Sequence, residues 1–270
     1  MLRHYHLKEN AVNTDILKKD AITFSVLISI LQGLCTDVYT DEENIIICYS
    51  NPPYPVWVWC ADEDNMSLIR EISDCLKENF PIEKGFCYDL EEGLLIKLME
   101  YDDYFSDAKV LYGLLSYRLD EVNEIKPAYD GKIYMPEEKD IPYITSLWKD
   151  FELEAEGIEF DDELCLKTVS ERIQDKVLYT WKNDDGKITA MASRWGGDEN
   201  YCKIASVYTL PEYRRKGYAQ NLVHYICREI LSEGKTPILY TDESYTASNE
   251  CYKRIGFYKV GNLVKAGSEE

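Results

Sequence analysis

A length of 270 residues favours about two compact domains. A hydrophobic fraction of 45% and an aromatic fraction of 13% exclude an intrinsically disordered chain. The 50 acidic residues outnumber the 30 basic ones and give a net charge of −20, which argues against nucleic acids and anionic membrane surfaces as partners.

The N-terminal segment and the cysteines bear on the cellular compartment. Residues Met1 to Asn10 have no apolar core, so they do not form a secretory signal. The longest apolar run, near Ala21 to Leu34, is interrupted by polar residues and suits a buried helix better than a membrane span. The nine cysteines are scattered singly, which predicts reduced core thiols. We therefore expect a cytoplasmic protein without membrane association or bound metal.

The first half of the chain is predicted to be an α/β domain. Apolar residues at helical spacing indicate helices, and runs of β-branched and aromatic residues indicate strands. Pro81 ends the second helix. The expected order is a helix at Asp15 to Leu34, strands at Asn44 to Tyr49 and Pro55 to Cys60, and helices at Asn65 to Phe80 and Asp107 to Val122.

The apolar periodicity lapses around Pro127 to Gly131, and we place a domain boundary there. The predicted domains are residues 1–128 and 129–270. The second domain begins with a strand at Lys132 to Met135 and a helix near Ile141 to Glu154. A meander of three strands follows, at Val177 to Lys182, Ile188 to Trp195 and Tyr201 to Thr209, with an Asp185-Gly186 turn between the first two.

A strand, a loop and a helix follow one another between Lys203 and Leu231. The helix has one apolar face, Gly234 follows its end, and Pro237 to Thr241 returns as a strand. This order implies parallel strands joined by a right-handed crossover. The loop therefore lies at the amino end of the helix and beside the carboxyl ends of the strands.

The loop has the composition of an anion site. Unpaired amides and the positive end of the helix dipole meet at a helix N-terminus. Gly217 allows the backbone to approach an anion closely, and the small side chain of Ala219 does nearly the same. Arg214, Arg215 and Lys216 add three successive positive charges in an acidic chain. We expect a pyrophosphate to bind here.

Two segments resemble signature sequences of the GNAT superfamily of N-acetyltransferases. The run from Val207 to Ala219 is similar to the acetyl-CoA motif Q/R-x-x-G-x-G/A, which follows a strand and a Pro-x-Tyr turn. The run from Ser248 to Phe257 is similar to the second signature, which follows the next strand. The resemblance spans roughly Lys132 to Gly261. It implies the α/β GNAT acyl-CoA N-acyltransferase fold, with a mixed sheet and an N-terminal α/β accessory domain.

The resemblance also implies a set of site residues. Tyr252 matches the tyrosine that protonates the leaving thiolate, and Asn249 matches the asparagine that contacts pantetheine. Backbone groups near Val207 and Thr209 are expected to hold the pantetheine arm and to polarise the thioester carbonyl. The expected residues that bind the co-substrate acetyl-CoA are Val207, Tyr208, Thr209, Arg214, Arg215, Lys216, Gly217, Tyr218, Ala219, Asn249 and Tyr252.

Three carboxylates compete for the role of general base. Asp242, just after the second strand, is the preferred one, and Glu154 and Glu156 are the alternatives. The acidic residues between Glu152 and Asp162 lie where the acceptor-side segments of the family fall. They favour an amine that is cationic before it loses its proton.

The implied function is transfer of an acetyl group from acetyl-CoA to the primary amine of a small molecule, by direct attack in a ternary complex. The alternatives are an N-acyltransferase that uses another acyl-CoA or an amino-acid acceptor, and a module that binds CoA without turnover. The identity of the acceptor stays open, because acceptor specificity resides in variable loops and added domains. The sequence also leaves open whether the protein is a monomer or a homodimer.

The first half of the chain is not expected to bind CoA. The segment Cys60 to Met66 connects a predicted strand to a predicted helix, but it has no glycine and carries three carboxylates. Such a segment should repel a pyrophosphate even at a helix N-terminus. The accessory domain is interpreted either as a decayed copy of the same fold or as an unrelated packing domain.

Overall fold

The computed structural model describes residues 2–5, 12–33, 37–50, 52, 54–157 and 161–268. The chain forms two compact units, each made of more than one segment. The first unit comprises Met1–Tyr117, Tyr240–Asn249 and Lys259–Glu270, and the second comprises Arg118–Leu239 and Glu250–Tyr258. Within the described residues, every helix is too short or too polar to span a lipid bilayer.

The strands and α-helices are numbered in chain order. The strands are β1 (Arg3–Tyr5), β2 (Asp37–Thr40), β3 (Ile45–Tyr49), β4 (Val56–Cys60), β5 (Tyr88–Glu91), β6 (Lys109–Arg118), β7 (Lys132–Tyr134), β8 (Leu178–Lys182), β9 (Ile188–Gly197), β10 (Tyr201–Thr209), β11 (Thr236–Asp242) and β12 (Tyr258–Gly267). The helices are α1 (Ser25–Gln32), α2 (Met66–Asn79), α3 (Glu92–Tyr101), α4 (Ile141–Glu156), α5 (Asp162–Gln174), α6 (Tyr218–Ser232) and α7 (Thr246–Ile255).

The first unit is built on a mixed sheet. Strands β1 to β4 pair antiparallel, β5 runs parallel to β4, and β12 pairs antiparallel with β5. Ile45 and Ile47 of β3 belong to one apolar cluster with residues of α2 and α3, whereas Ile46 and Cys48 belong to another with residues of α1. Because successive side chains of a strand point to opposite faces, both faces of β3 are buried. This explains why the strand is a continuous apolar run.

The helix predicted at Asp15 to Leu34 is shorter in the structure. The α-helix begins only at Ser25. There the Tyr240 hydroxyl accepts the Ser25 amide at 3.1 Å and lies 2.8 Å from the carbonyl oxygens of Ile22 and Thr23. This tyrosine comes from a strand more than 200 positions along the chain, so local periodicity gave no sign of it. Leu34 itself lies outside the described residues.

The helix predicted at Asp107 to Val122 is wrong, because Lys109–Arg118 form the strand β6. A continuous apolar run does not distinguish a buried strand from a helix. Gly113 decides between them, since its carbonyl accepts the Glu243 amide at 2.9 Å and a Cβ atom at this position would lie 2.7 Å from Glu243 Oε2. Glycine in a strand commonly marks such a close approach.

The second unit contains the predicted meander. Strands β7, β8, β9 and β10 pair antiparallel in sequence order, and β11 runs parallel to β10. Trp148 of α4 packs with Met191 and Tyr208 on one face of the sheet, and Tyr218 of α6 packs with Trp181 in a separate cluster. The parallel pairing that was predicted from the strand, loop, helix and strand order is confirmed.

The same order of elements occurs twice along the chain. Residues 37–118 form β2–β3–β4–α2–β5–α3–β6, and residues 178–267 form β8–β9–β10–α6–β11–α7–β12. In each series the third and fourth strands are parallel. The predicted domain boundary near residue 128 stays a prediction. The compact units do not follow the predicted division of the chain, because Leu263 and Val264 of β12 pack into the apolar clusters of the first unit.

Candidate functional site

The strand β10 is interrupted by a bulge near its carboxyl end. Ala205 pairs with Ser193 of β9 and Tyr208 pairs with Met191, so Ser206 and Val207 lie opposite Ala192 alone and β10 has one extra residue here. Ser206 has a φ of 53°, which is uncommon for a residue other than glycine. Bulges redirect backbone groups away from the neighbouring strand and are frequent beside active sites. No pattern in the sequence indicated this bulge.

The other edge of β10 is only partly paired. The parallel register with β11 joins Tyr201, Cys202 and Lys203 to residues 236–238. The remaining residues of β10, from Ile204 to Thr209, lie beyond this register. No strand of the described residues pairs with them on that edge, so their backbone groups are available to an extended ligand, in the way that a peptide adds to a sheet edge.

The loop after β10 has the backbone of an anion site. A short 3-10 helix at Pro211–Tyr213 is followed by Arg215 with a φ of 63° and Gly217 with a φ of 82°. Helix α6 begins directly after Gly217. Within the part of the chain that the structure describes, the amides of the first turn, Tyr218 to Gln220, donate no hydrogen bond. These amides and the helix dipole favour a bound anion.

The three basic side chains of the loop differ in their surroundings. Arg214 donates from Nε to the Thr209 carbonyl at 3.0 Å and from Nη2 to Glu154 Oε2 at 2.6 Å. Lys216 Nζ lies 4.9 Å from the centre of the Tyr213 ring. Arg215 is exposed. The side chain of Arg214 thus holds the loop, whereas Arg215 and Lys216 keep their charge near its surface.

Two tyrosines of the predicted acetyl-CoA set have side chains in the core. The Tyr218 ring stacks on Trp181, and its hydroxyl donates to Asp130. Burial, and after it this hydrogen bond, raises the pKa of the Tyr218 phenol. The Tyr208 ring packs edge-on against Phe151. Both residues can therefore offer only backbone groups to a cofactor. Their side chains support the loop instead.

The side chain of Thr209, the last residue of β10, has an unusual environment. Its Oγ1 is buried and has no hydrogen-bond partner among the described residues. Buried polar groups are almost always hydrogen-bonded, so an unpaired hydroxyl beside a loop that can hold an anion indicates a missing polar partner. Val207 and Ala219 are half-buried and contribute main-chain groups.

Asn249 belongs to the first unit, where it organises the start of α7. Its Nδ2 lies 2.8 Å from the carbonyl oxygen of Asp242, 3.2 Å from that of Glu243 and 3.1 Å from that of Tyr245. The side chain is 5% exposed, and its Oδ1 has no partner within the residues described. The Nδ2 group thus has a structural role, whereas Oδ1 is a buried acceptor without a partner among the described residues.

The carboxylates predicted as general base have different partners. In the first unit, Asp242 Oδ1 accepts the Ser244 amide at 2.7 Å. In the second unit, Glu154 is paired with Arg214. The side chain of Glu156 lies outside the description. Glu154 is thus engaged in an ion pair that supports the loop, and the assignment of Asp242 as general base stays a prediction.

Tyr252 is a buried residue of the second unit. It is 7% exposed, and its ring meets Phe257 edge-on at a centroid distance of 5.9 Å. Its carbonyl accepts the amides of Gly256 and Phe257, which end α7. Packing of this kind fixes the direction of the ring. No other observation assigns the acid role, which stays a prediction.

A family model and solved structures match this arrangement. The model described as FR47-like protein matches residues 184–264. No curated protein matches the chain significantly. A GCN5-related N-acetyltransferase from Sphaerobacter thermophilus has 14% identity and a TM-score of 0.73, with 98% of this chain and 94% of that chain covered. An acetyltransferase from the GNAT family from Colwellia psychrerythraea has 11% identity and a TM-score of 0.63, with both chains covered completely.

These likenesses establish the fold. Residues 184–264 are similar to the FR47-like model, and the whole chain has the fold of the GNAT acetyltransferases. The resemblance predicted from the two signature segments is confirmed, and so is the α/β fold class with a mixed sheet. Because both structures cover nearly the entire chain, the fold includes the N-terminal half as well.

Proposed function

We propose that this protein is an N-acetyltransferase that moves an acetyl group from acetyl-CoA to the primary amine of a small molecule. The observation that carries the proposal is the loop before α6, where Gly217 in the left-handed conformation precedes a turn whose amides have no partner among the described residues. Such a turn binds a pyrophosphate through its N–H groups and its dipole. Arg215 and Lys216 add charge at the same loop.

The open edge of β10 suits the pantetheine arm. This arm carries amide groups, which pair with the backbone groups of a strand that lacks a neighbour. The residues from Ile204 to Thr209 supply that edge beyond the register with β11. The buried Oγ1 of Thr209 supplies a further polar group on the same strand.

The chemistry needs a donor for the carbonyl oxygen and an acid for the sulfur. In direct transfer the amine nitrogen bonds to the thioester carbon, the carbon–sulfur bond breaks, and the amine proton passes to a base. The bulge at Ser206 and Val207 presents backbone amides that can stabilise the developing oxyanion. Tyr252 donates its proton to the leaving thiolate, and Asp242 accepts the proton of the amine.

We also propose that the N-terminal half binds no CoA. The N-terminus of α2 is capped by the Asn65 side chain, which accepts the Ser67 amide at 3.1 Å. Asp62, Glu63 and Asp64 precede it, so an anion would meet three carboxylates. Titration with acetyl-CoA should therefore give one site per chain, and two equivalent sites would refute this division of roles.

The decisive test is release of free CoA over a panel of primary amines, with acetyl-CoA and longer acyl-CoA donors compared. Acetyl transfer to small amines supports the proposal. A preference for a longer acyl donor would make the protein a different acyltransferase. Calorimetric binding of CoA without turnover on any amine would make it a binding module, and absence of CoA binding would refute the assignment of the loop.

A further inference from the structure

A cluster of two cations and two tryptophans lies on one face of the second unit. Lys203 and Ala205 of β10 pair directly with Trp195 and Ser193 of β9. Directly paired residues share a face of the sheet, and residues two apart on a strand share it as well. These four side chains therefore project from the same face, beside the bulge at Ser206.

Arg172 of α5 lies over this face. The carbon of its guanidinium is 4.8 Å from the centre of the Trp148 ring and 5.6 Å from that of Trp195. Its Nη1 donates to Ser193 Oγ at 3.0 Å, and Ser193 Oγ lies 3.1 Å from the Ala205 carbonyl oxygen. The two rings hold the guanidinium plane. A chain of two hydrogen bonds then connects it to the residue just before the bulge.

Among the residues that the structure describes, Arg172 forms no ion pair, although the chain as a whole is strongly acidic. Burial lowers the pKa of the Arg172 guanidinium, and Glu152 opposes this shift only by longer-range attraction. A guanidinium has five N–H donors, and one of them is used here. The donors that have no partner among the described residues suit a planar anion such as a carboxylate, which pairs with a guanidinium through two parallel hydrogen bonds.

Lys203 adds a second positive charge at the same ring. Its Nζ lies 5.0 Å from the centre of the Trp195 ring, and the residue is 5% exposed. Burial lowers the pKa of the Lys203 amine to about 8, so the charged form is costly in the folded protein. An anion bound at Arg172 would reduce this cost. Trp195 is 47% exposed, so the cluster is open to a ligand from solvent.

We propose that the acceptor amine also carries a carboxylate, which Arg172 binds, while the Trp195 ring packs against the hydrocarbon part of the acceptor. This inference rests on the proposed acetyl transfer, because it concerns the acceptor of that reaction. The carboxylate takes no part in bond making. It anchors the acceptor at Arg172. The Ser193 side chain connects Arg172 to Ala205, the residue just before the bulge at which the thioester carbonyl is proposed to lie.

The acidic residues between Glu152 and Asp162 also bear on the charge of the acceptor. The sequence favours a cationic amine because of residues between Glu152 and Asp162. In the structure Glu154 pairs with Arg214 and Asp162 pairs with Lys149, so two of those carboxylates are already neutralised. An amino acid satisfies both observations, because it carries an ammonium group and a carboxylate.

The test compares acceptors that differ only in the carboxylate. Acetyl transfer is measured with the common amino acids and with their matched amides, in the wild type, in Arg172→Gln and in Arg228→Gln, which removes an exposed arginine of α6. Loss of a hydrogen bond to a charged group costs about 1.5–3 kcal/mol, or roughly 10- to 100-fold. We expect Arg172→Gln to lower kcat/KM by that factor for the acids and by less than about threefold for the amides.

Direct binding separates this inference from the proposed function. Quenching of tryptophan fluorescence by the same acids and amides, with CoA present, reports the anchor whether or not turnover occurs. Acid-selective binding that Arg172→Gln abolishes and Arg172→Lys partly restores supports the anchor, even if no acetyl group is transferred. Transfer to amides as readily as to acids would keep the proposed function and overturn the inference. Trp195→Ala, at an exposed position, serves as a second variant if Arg172→Gln does not fold, and we expect it to weaken acid binding.

Discussion

The Nη2 of Arg214 donates to Glu154 Oε2 at 2.6 Å, while its Nε donates to the carbonyl of Thr209. One guanidinium therefore ties the end of β10 to helix α4. The side chain of Arg214 therefore holds the loop in shape, and we expect the positive charge that meets a phosphate to come from Arg215 and Lys216.

The first prediction concerns the different roles of Arg214 and Arg215. Arg215→Gln should raise the Kd of acetyl-CoA by about tenfold, because a charge-assisted contact with a phosphate is lost. The salt dependence of binding should fall as well, since screening acts on the removed charge. Arg214→Gln should instead lower the melting temperature. Calorimetric titration at low and high salt, with melting curves of both variants, measures the difference, and equal effects on affinity would contradict it.

The second prediction uses two glycines at opposite ends of α6. Gly217 and Gly234 have φ values of 82° and 77°, so glutamate at either position should cost about 1–2 kcal/mol of stability. Only Gly217→Glu places a negative charge where the pyrophosphate is proposed. Acetyl-CoA at 100 times its Kd should stabilise the wild type and Gly234→Glu by about 2.7 kcal/mol. Loss of this stabilisation in both variants, or in neither, would remove Gly217 from the site.

The third prediction addresses the proton donor. Tyr252→Phe keeps the ring contact with Phe257 and removes the hydroxyl, so turnover should fall by about 10²–10⁴-fold while CoA affinity stays near that of the wild type. The matched control is Tyr245→Phe, which changes an exposed tyrosine just before α7. Steady-state kinetics with a titration of CoA test the pair. Wild-type turnover in Tyr252→Phe would assign the acid elsewhere.

The fourth prediction follows from the lowered pKa of Lys203. The folded pKa of about 8 lies below the ordinary value of 10.5, so the unfolded chain binds the proton more tightly. The penalty for burying the charge is fully present below pH 8 and disappears as the pH rises toward the unfolded pKa. Lys203→Met should therefore be more stable than the wild type at pH 7, on the order of 1–3 kcal/mol. Urea unfolding at several pH values should show the advantage shrinking between pH 8 and pH 10, and a constant difference would contradict the cause.

The sequence predicted those parts of the fold that repeat a short pattern. The strands of the meander from β8 to β10 are largely buried runs bounded by turns, and the crossover through α6 carries one apolar stripe, so both were predicted correctly. The errors fell on β6 and on the start of α1. At both places a distant residue decides the conformation, Glu243 in one case and Tyr240 in the other.

The site was predictable only in part, for a related reason. The glycine and the basic residues of the loop follow each other in the chain, so their spacing was visible. The bulge at Ser206 depends on how β10 pairs with β9, and the cluster around Arg172 joins residues from α4, α5, β9 and β10. Neither leaves a local pattern. The structure also narrows the roles of Tyr208, Tyr218 and Arg214, whose side chains support the loop.

The pairing of β12 with β5 has a consequence for the order of synthesis. Leu263 pairs with Glu91 and Ala266 with Tyr88, so the sheet that begins near the N-terminus is completed by residues translated about 175 positions later. Until then one edge of β5 lacks its partner strand. The apolar residues that Leu263 and Val264 cover in the folded protein are exposed to solvent. The first unit should therefore reach its native core only after the ribosome has delivered β12. Nascent chains arrested before residue 258 should be captured by chaperones and cut by proteases within this unit.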